Sequence, residues 1–151
     1  MVANRMIRTT HLGGDLIFKL KSGQIGPIAI IEDDPLMAEL IREMIGSYEE
    51  ALEVFPLGRN FLESTHAEDF KVIILDLSLP DLDGFDLLKL LSTKSNKWRI
   101  ILVSGHQNSV ISAAVLYCQS MGFEVLGSLQ KPFSRIELIS ALSSVMQENQ
   151  Q

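Results

Sequence analysis

The sequence predicts an α/β fold: a five-stranded, doubly wound parallel sheet with helices on both faces. Three observations lead there. Ile28-Ala29-Ile30-Ile31, Val72-Ile73-Ile74-Leu75 and Ile100-Ile101-Leu102-Val103 are apolar at every position, which suits strands buried on both faces. The segments between them carry apolar residues at three- and four-residue spacing, the pattern of helices with one buried stripe. Strand and helix alternate along the chain, which implies right-handed crossovers and parallel pairing.

Taken in order, residues 1–26 differ from the rest, with Arg5, Arg8, His11 and the pair Gly13-Gly14. Residues 16–20 read as a short strand and 21–23 as its turn. This N-terminal extension is expected to be a loosely packed arm, with a dimerisation or partner-binding arm as the alternative. The domain proper is read as residues 27–148, with 149–151 as a tail. Its first strand, 28–31, runs into Glu32-Asp33-Asp34, and Pro35 suits the first turn of a helix capped by Asp34. In that helix Leu36, Leu40 and Met44 recur at helical spacing, as do Met37, Ile41 and Ile45. Both stripes read as core, and Gly46 ends the helix. Residues 52–56 form a weaker strand and 59–66 a helix. Val72 to Asp76 is the third strand, followed by a helix over 85–91. Ile100 to Val103 is the fourth strand, with a helix marked by Val110, Ile111, Ala114, Val115 and Cys118. Residues 125–129 make the last strand. Ile136, Ile139, Leu142 and Met146 mark a final helix capped by Ser134.

With 151 residues the chain is sized for one domain, able to bury a core without disulfides. Its one cysteine, Cys118, allows no internal disulfide and reads as a small core residue. A net charge of −6 argues against a general basic surface for nucleic acid. No apolar run is long enough to cross a membrane and no secretory leader is visible, so the expected location is cytoplasmic. His11, His66 and His106 have no ligand spacing and are assigned no metal. Trp98 is expected to be a partly exposed packing residue.

Doubly wound sheets carry their sites beyond the carboxyl ends of the strands. Here those ends bear Glu32-Asp33, Asp76, Ser104-Gly105 and Lys131-Pro132. Three acids, a hydroxyl and an amine would thus converge at one end of one sheet. Clustered carboxylates call for a cation, and oxygen-only donors favour a hard one such as Mg²⁺. A carboxylate can act as a nucleophile towards phosphorus, and a lysine can neutralise phosphoryl oxygens. The set reads as phosphoryl transfer onto an aspartate.

The motifs Ile30-Ile31-Glu32-Asp33-Asp34-Pro35, Asp76-Leu77-Ser78-Leu79-Pro80-Asp81-Leu82-Asp83-Gly84, Leu102-Val103-Ser104-Gly105 and Lys131-Pro132-Phe133 resemble, in order and spacing, the four signatures of bacterial response-regulator receivers. The resemblance spans about residues 27–147. It implies a flavodoxin-like strand order 2-1-3-4-5, with Asp76 as phosphoacceptor and Lys131 as the phosphoryl-binding lysine. It makes Ser104 the switch hydroxyl, and Gly105 the small residue that leaves the phosphoryl group accessible. Glu32, Asp33, Asp76 and the Ser78 backbone carbonyl become the Mg²⁺ site, with Mn²⁺ or Ca²⁺ as substitutes. A cis Lys131–Pro132 peptide is implied as well. So are a sensor histidine kinase or histidine phosphotransfer protein as donor and a separate output protein or a second copy as receiver of the signal. No output domain is expected in this chain, nor any enzyme activity beyond Mg²⁺-dependent self-phosphorylation and dephosphorylation. The departure is Ser128, where the family commonly has an aromatic residue coupled to the switch hydroxyl. Residues 121–133 resemble receivers attached to EAL-type cyclic-di-GMP phosphodiesterases.

Blander readings stand beside these. Asp33 and Asp34 could be helix caps, Asp81-Leu82-Asp83-Gly84 is a helix-entry turn rather than a calcium loop, and Ser104 could be a plain strand-end serine. A phosphorylation-independent scaffold is the main alternative function. An Asp-nucleophile phosphatase needs a second acid where Ser78 stands, and converging acids disfavour an anionic flavin phosphate.

Overall fold

A computed structural model describes residues 7–12, 15–20, 25–48, 50–78, 84–95, 97–105 and 108–148. Strands β1 (Ile7–Leu12) and β2 (Asp15–Leu20) pair antiparallel as a separate two-stranded sheet. The rest alternates: β3 (Ile28–Ile31), α1 (Pro35–Ile45), β4 (Leu52–Phe55), α2 (Gly58–Glu63), β5 (Val72–Asp76), α3 (Gly84–Ser92), β6 (Arg99–Ser104), α4 (Asn108–Ser120), β7 (Glu124–Gln130) and α5 (Arg135–Glu148). A short 3₁₀ turn, Ala67–Asp69, precedes β5. The five later strands form one parallel sheet in the order β4-β3-β5-β6-β7, the predicted 2-1-3-4-5.

The apolar runs become central strands because side chains alternate between faces and both faces are covered. Ile28, Ile30, Val72, Ile74, Ile101 and Val103 pack with Ile41 and Ile45 of α1 and with Leu138, Leu142 and Val145 of α5. Ala29, Ile31, Ile73, Leu75, Ile100 and Leu102 pack on the other face with Phe61, Leu87, Leu88, Leu91, Ala114 and Cys118. At the sheet edge, a Cβ on Gly127 would stand 2.9 Å from the Ala141 Cβ, so α5 lies very close to β7 there.

Caps fall where the sequence puts them. The Leu36 N–H donates to Asp34 Oδ1 at 3.0 Å, and Gly46 closes α1 with φ +73°. Ser134 Oγ accepts from the Glu137 N–H while Glu137 Oε2 accepts from the Ser134 N–H, a reciprocal capping box on α5. The Lys131–Pro132 peptide is cis.

Several expectations need correction. Trp98 is buried, 2% exposed, with its ring against Phe61 and its indole N–H donating to the Ala67 carbonyl at 3.1 Å. The 3₁₀ turn presents that carbonyl, so the polar end of the indole is satisfied inside. Leu36, 82% exposed, and Leu40 leave the core; α1 buries Ala38, Ile41 and Ile45 instead. Val110 and Ile136 are likewise exposed. The helix over 59–66 is shorter, ending at Glu63, because Ser64 turns to an extended backbone. In the N-terminal extension the expected strand is joined by a second, β1, that periodicity did not mark. The turn at 21–23, Leu79 to Asp83, His106 and the tail lie outside the described residues.

Candidate functional site

The chain steps from β3 to β4 on one side and then returns to β5 on the other, so strand order reverses between β3 and β5. Ile31 pairs with Leu75, which places Glu32 and Asp76 on the next rung, side by side at the carboxyl edge. This reversal point is where open α/β sheets form their crevice. Asp33 follows into solvent ahead of α1, whose N-cap is the neighbouring Asp34. Carboxylate oxygens of Glu32, Asp33 and Asp76 lie within 4.8 Å of one another.

Lys131 reaches the same point from the far edge. Its backbone N–H donates to the Ser104 carbonyl at 2.8 Å, extending the β6–β7 pairing beyond Gln130. Its ammonium stands 3.2 Å from Glu32 Oε2 and 3.3 Å from Asp76 Oδ2. The other Asp76 oxygen, Oδ1, accepts the Ser78 N–H at 3.0 Å, and Glu32 Oε1 accepts the Asp34 N–H at 3.3 Å. Both buried carboxylates are therefore held by backbone donors on one side and by Lys131 on the other.

Burial and the nearby Asp76 charge push the Glu32 carboxyl up to about 7, more than Lys131 and the Asp34 N–H offset. For Lys131 burial works against the charge, but attraction to Asp76 and Glu32 outweighs it and raises its pKa above the ordinary lysine value. Three acids against one amine leave an excess of negative charge in a crevice two of whose acids, Glu32 and Asp76, are almost fully buried. Oxygen donors of this kind, with Asp33 open to solvent, fit a hard divalent cation that keeps some of its waters.

The structure brings Glu32, Asp33, Asp76 and Lys131 together. Ser78 sits just past Asp76 at the start of the following loop, and Ser104 lies buried at the end of β6, one position beyond the residue paired with Asp76. A Cβ on Gly105 would meet nothing within 4 Å, so that side of the crevice is open. Ser128 is exposed on β7. Gly84 is a contributor that the motif shows but whose reason only the structure gives. Its N–H donates to the Leu77 carbonyl, and a Cβ there would come within 2.8 Å of the Leu77 Cα. That close approach brings the start of α3 against the residue that follows β5. The bare signal in the sequence was a glycine opening a helix, where helix formers are usually preferred.

Residues 28–143 match the family described as the response regulator receiver domain. Among curated proteins, cell cycle response regulators CtrA of Brucella ovis and Brucella abortus are 27% identical over 122 residues, 81% of this chain and 50% of theirs. The chain thus spans about half the length of the curated relatives it matches. Among solved structures, a response regulator from Colwellia psychrerythraea is 27% identical with a TM-score of 0.67, covering 84% of this chain and 99% of that one. The receiver domain of sensor histidine kinase PA1611 from Pseudomonas aeruginosa, solved with a magnesium ion coordinated in its active site cleft, is 23% identical with a TM-score of 0.65. It covers 81% of this chain and 98% of that one, a likeness of fold. From the sheet order, the acid and lysine crevice and the span of the match, the chain belongs to the response regulator receiver domain family of two-component signalling.

Proposed function

We propose that Asp76 accepts a phosphoryl group from a phosphohistidine on a sensor kinase or phosphotransfer protein, in the presence of Mg²⁺, and that the modified domain changes its fit to a separate output partner. The observation that carries this is the Asp76 carboxylate, 3% exposed, fixed between the Ser78 N–H and the Lys131 ammonium at the reversal point of the sheet. Glu32, Asp33, Asp76 and the Ser78 carbonyl would hold the cation. When bound, it supplies positive charge against the phosphoryl oxygens.

The chain's own residues do the rest. An Asp76 oxygen forms the new bond to phosphorus as the phosphorus–nitrogen bond of the donor breaks, the electron pair returning to the imidazole nitrogen. Lys131, kept charged by its two carboxylate neighbours, binds an oxygen of the arriving group. Ser104, at the end of β6 beside the acceptor strand, supplies the hydroxyl that registers the modification, and Gly105 leaves the approach open. The finer likeness of residues 121–133 to receivers attached to EAL-type phosphodiesterases rests on that segment alone, and the relatives named above lend it no support.

The test is intact mass after incubation with acetyl phosphate and Mg²⁺, comparing wild type with Asp76→Asn. One phosphoryl adduct on wild type, dependent on Mg²⁺ and absent in the variant, is expected. Failure with acetyl phosphate and with a panel of phosphorylated histidine donors would leave a phosphorylation-independent scaffold as the function, a reading that the full set of site residues argues against and that Ser128 in place of an aromatic residue keeps open.

A further inference from the structure

The carboxyl ends of the strands carry the crevice around Asp76. The amino ends carry a second concavity, lined by residues from the approach to every strand of the parallel sheet. Gly26 leads into β3, Glu50 precedes β4, Lys71 precedes β5, Lys97 precedes β6, and Arg99 and Glu124 open β6 and β7. The cavity measures about 680 Å³, within the range of roughly 300–1,000 Å³ of small-molecule sites.

Parallel pairing brings these residues together. The Lys71 N–H donates to the Pro27 carbonyl at 2.8 Å, and the Arg99 N–H donates to the Lys71 carbonyl at 3.0 Å. Arg99 pairs in turn with Glu124. A Cβ on Gly26, whose φ is +85°, would stand 2.5 Å from the Lys71 Cγ, so the root of that lysine lies against the bare backbone at Gly26. Lys71 as a whole stays exposed, as does Lys97.

Charge sets this cavity apart from the rest of the chain. The full sequence carries −6, yet the described lining residues hold three cations, Lys71, Lys97 and Arg99, against Glu50 and Glu124. Arg99 donates through Nε to Glu124 Oε2 at 2.9 Å, which offsets one pair of charges. Its two terminal guanidinium nitrogens have no hydrogen-bond partner among the described residues, and neither Lys71 nor Lys97 forms an ion pair among them. Like charges gathered around one cavity repel, and an anion offsets that repulsion. A guanidinium fork and ammonium groups are the donors that bind phosphate oxygens.

We propose that this cavity binds a small phosphate monoester, with Arg99, Lys71 and Lys97 meeting the phosphate oxygens. The site lies at the opposite end of the strands from Asp76, and the proposal does not depend on whether Asp76 is phosphorylated.

The test titrates the full chain, ¹⁵N-labelled and free of divalent cations, with glycerol 3-phosphate at constant ionic strength and follows the amide shifts. Saturable shifts are expected at Gly26, Lys71, Arg99 and Glu124, with a Kd below about 1 mM, while the amides of Asp76 and Lys131 stay in place. Lys97→Gln should weaken binding by about tenfold or more, the loss that follows when a hydrogen bond to a charged group is removed. Lys89→Gln, at an exposed position on α3, should leave it unchanged. If Lys97→Gln disturbs the spectrum at large, Lys71→Gln supplies the same comparison. Shifts that grow linearly with concentration, shifts that chloride reproduces, or an affinity that neither lysine change alters would overturn the site. So would shifts centred on Asp76 and Lys131, because the ester then occupies the other crevice. Malonate binding as tightly as glycerol 3-phosphate would overturn the assignment to phosphate.

Discussion

Lys131 touches both buried acids at about the same distance, and its removal separates two roles of the site. Under the proposed function, Lys131→Met takes away the charged donor for the phosphoryl group, and loss of one such donor costs about 10²-fold or more in rate. It also removes a positive charge from beside the carboxylates, so Mg²⁺ should bind at least as tightly as in wild type. Weaker Mg²⁺ binding by calorimetry would contradict this placement of the lysine. Asp33→Asn makes the opposite pairing. Disturbing groups behind a metal's ligands already costs about 10-fold to 100-fold in affinity, so if Asp33 is the direct ligand of the proposal its loss should cost at least the lower figure. Folding stability should barely change, because Asp33 is exposed. Cys118 gives a prediction away from the site. Burial pushes its thiol up to about 11, so native protein at pH 8 should resist iodoacetamide and react only after unfolding in urea. Rapid alkylation of folded protein, followed by mass, would show that α4 opens locally.

At the scale of elements, two glycines beside the site should behave oppositely. Gly84→Ala drives a methyl to within 2.8 Å of the Leu77 Cα, which is backbone and cannot swing aside; such overpacking costs about 1–3 kcal/mol. Gly105→Ala meets open space and should leave the urea midpoint where it was. Equal midpoints for the two variants would mean that the turn after β5 has more room than this geometry allows. The same contrast explains what could be read from the sequence. Continuous apolar runs reported β3, β5 and β6 because a strand covered on both faces has no polar positions to spare. The residues at their ends then located Glu32, Asp76 and Ser104, and the position after β7 located Lys131. Helix faces were less legible. An 11-residue helix with one covered side buries a stripe, and α1 carries more apolar residues than that stripe holds, so Leu36 and Leu40 are left outside. Trp98 went astray because nothing local signals that a carbonyl at Ala67, 31 residues away, will meet its N–H. The register of β1 on β2 also depends on pairing between strands, which periodicity within one strand does not fix.

For the whole molecule, the acid crevice is a cost carried by the fold. Glu32 has its carboxyl raised from 4.5 to about 7, first by burial and then by Asp76. The folded chain therefore binds this proton more tightly than the unfolded chain does. Stability from Glu32 is fully present below pH 4.5 and is lost as pH rises through about 7, an effect on the order of 3 kcal/mol. A divalent cation held by the same carboxylates acts in the other direction. It binds the folded state and competes with the proton, stabilising by about 2.7 kcal/mol at one hundred times its Kd. Two consequences can be measured by thermal unfolding. Without divalent cations, melting should occur at lower temperature at pH 8 than at pH 6 by more in wild type than in Glu32→Gln, which has no carboxyl to ionise. Adding Mg²⁺ should raise the wild-type midpoint more at pH 8 than at pH 5, since at the lower pH the proton already occupies Glu32. A Mg²⁺ effect of equal size at both pH values would mean that the cation stabilises the protein somewhere other than this crevice.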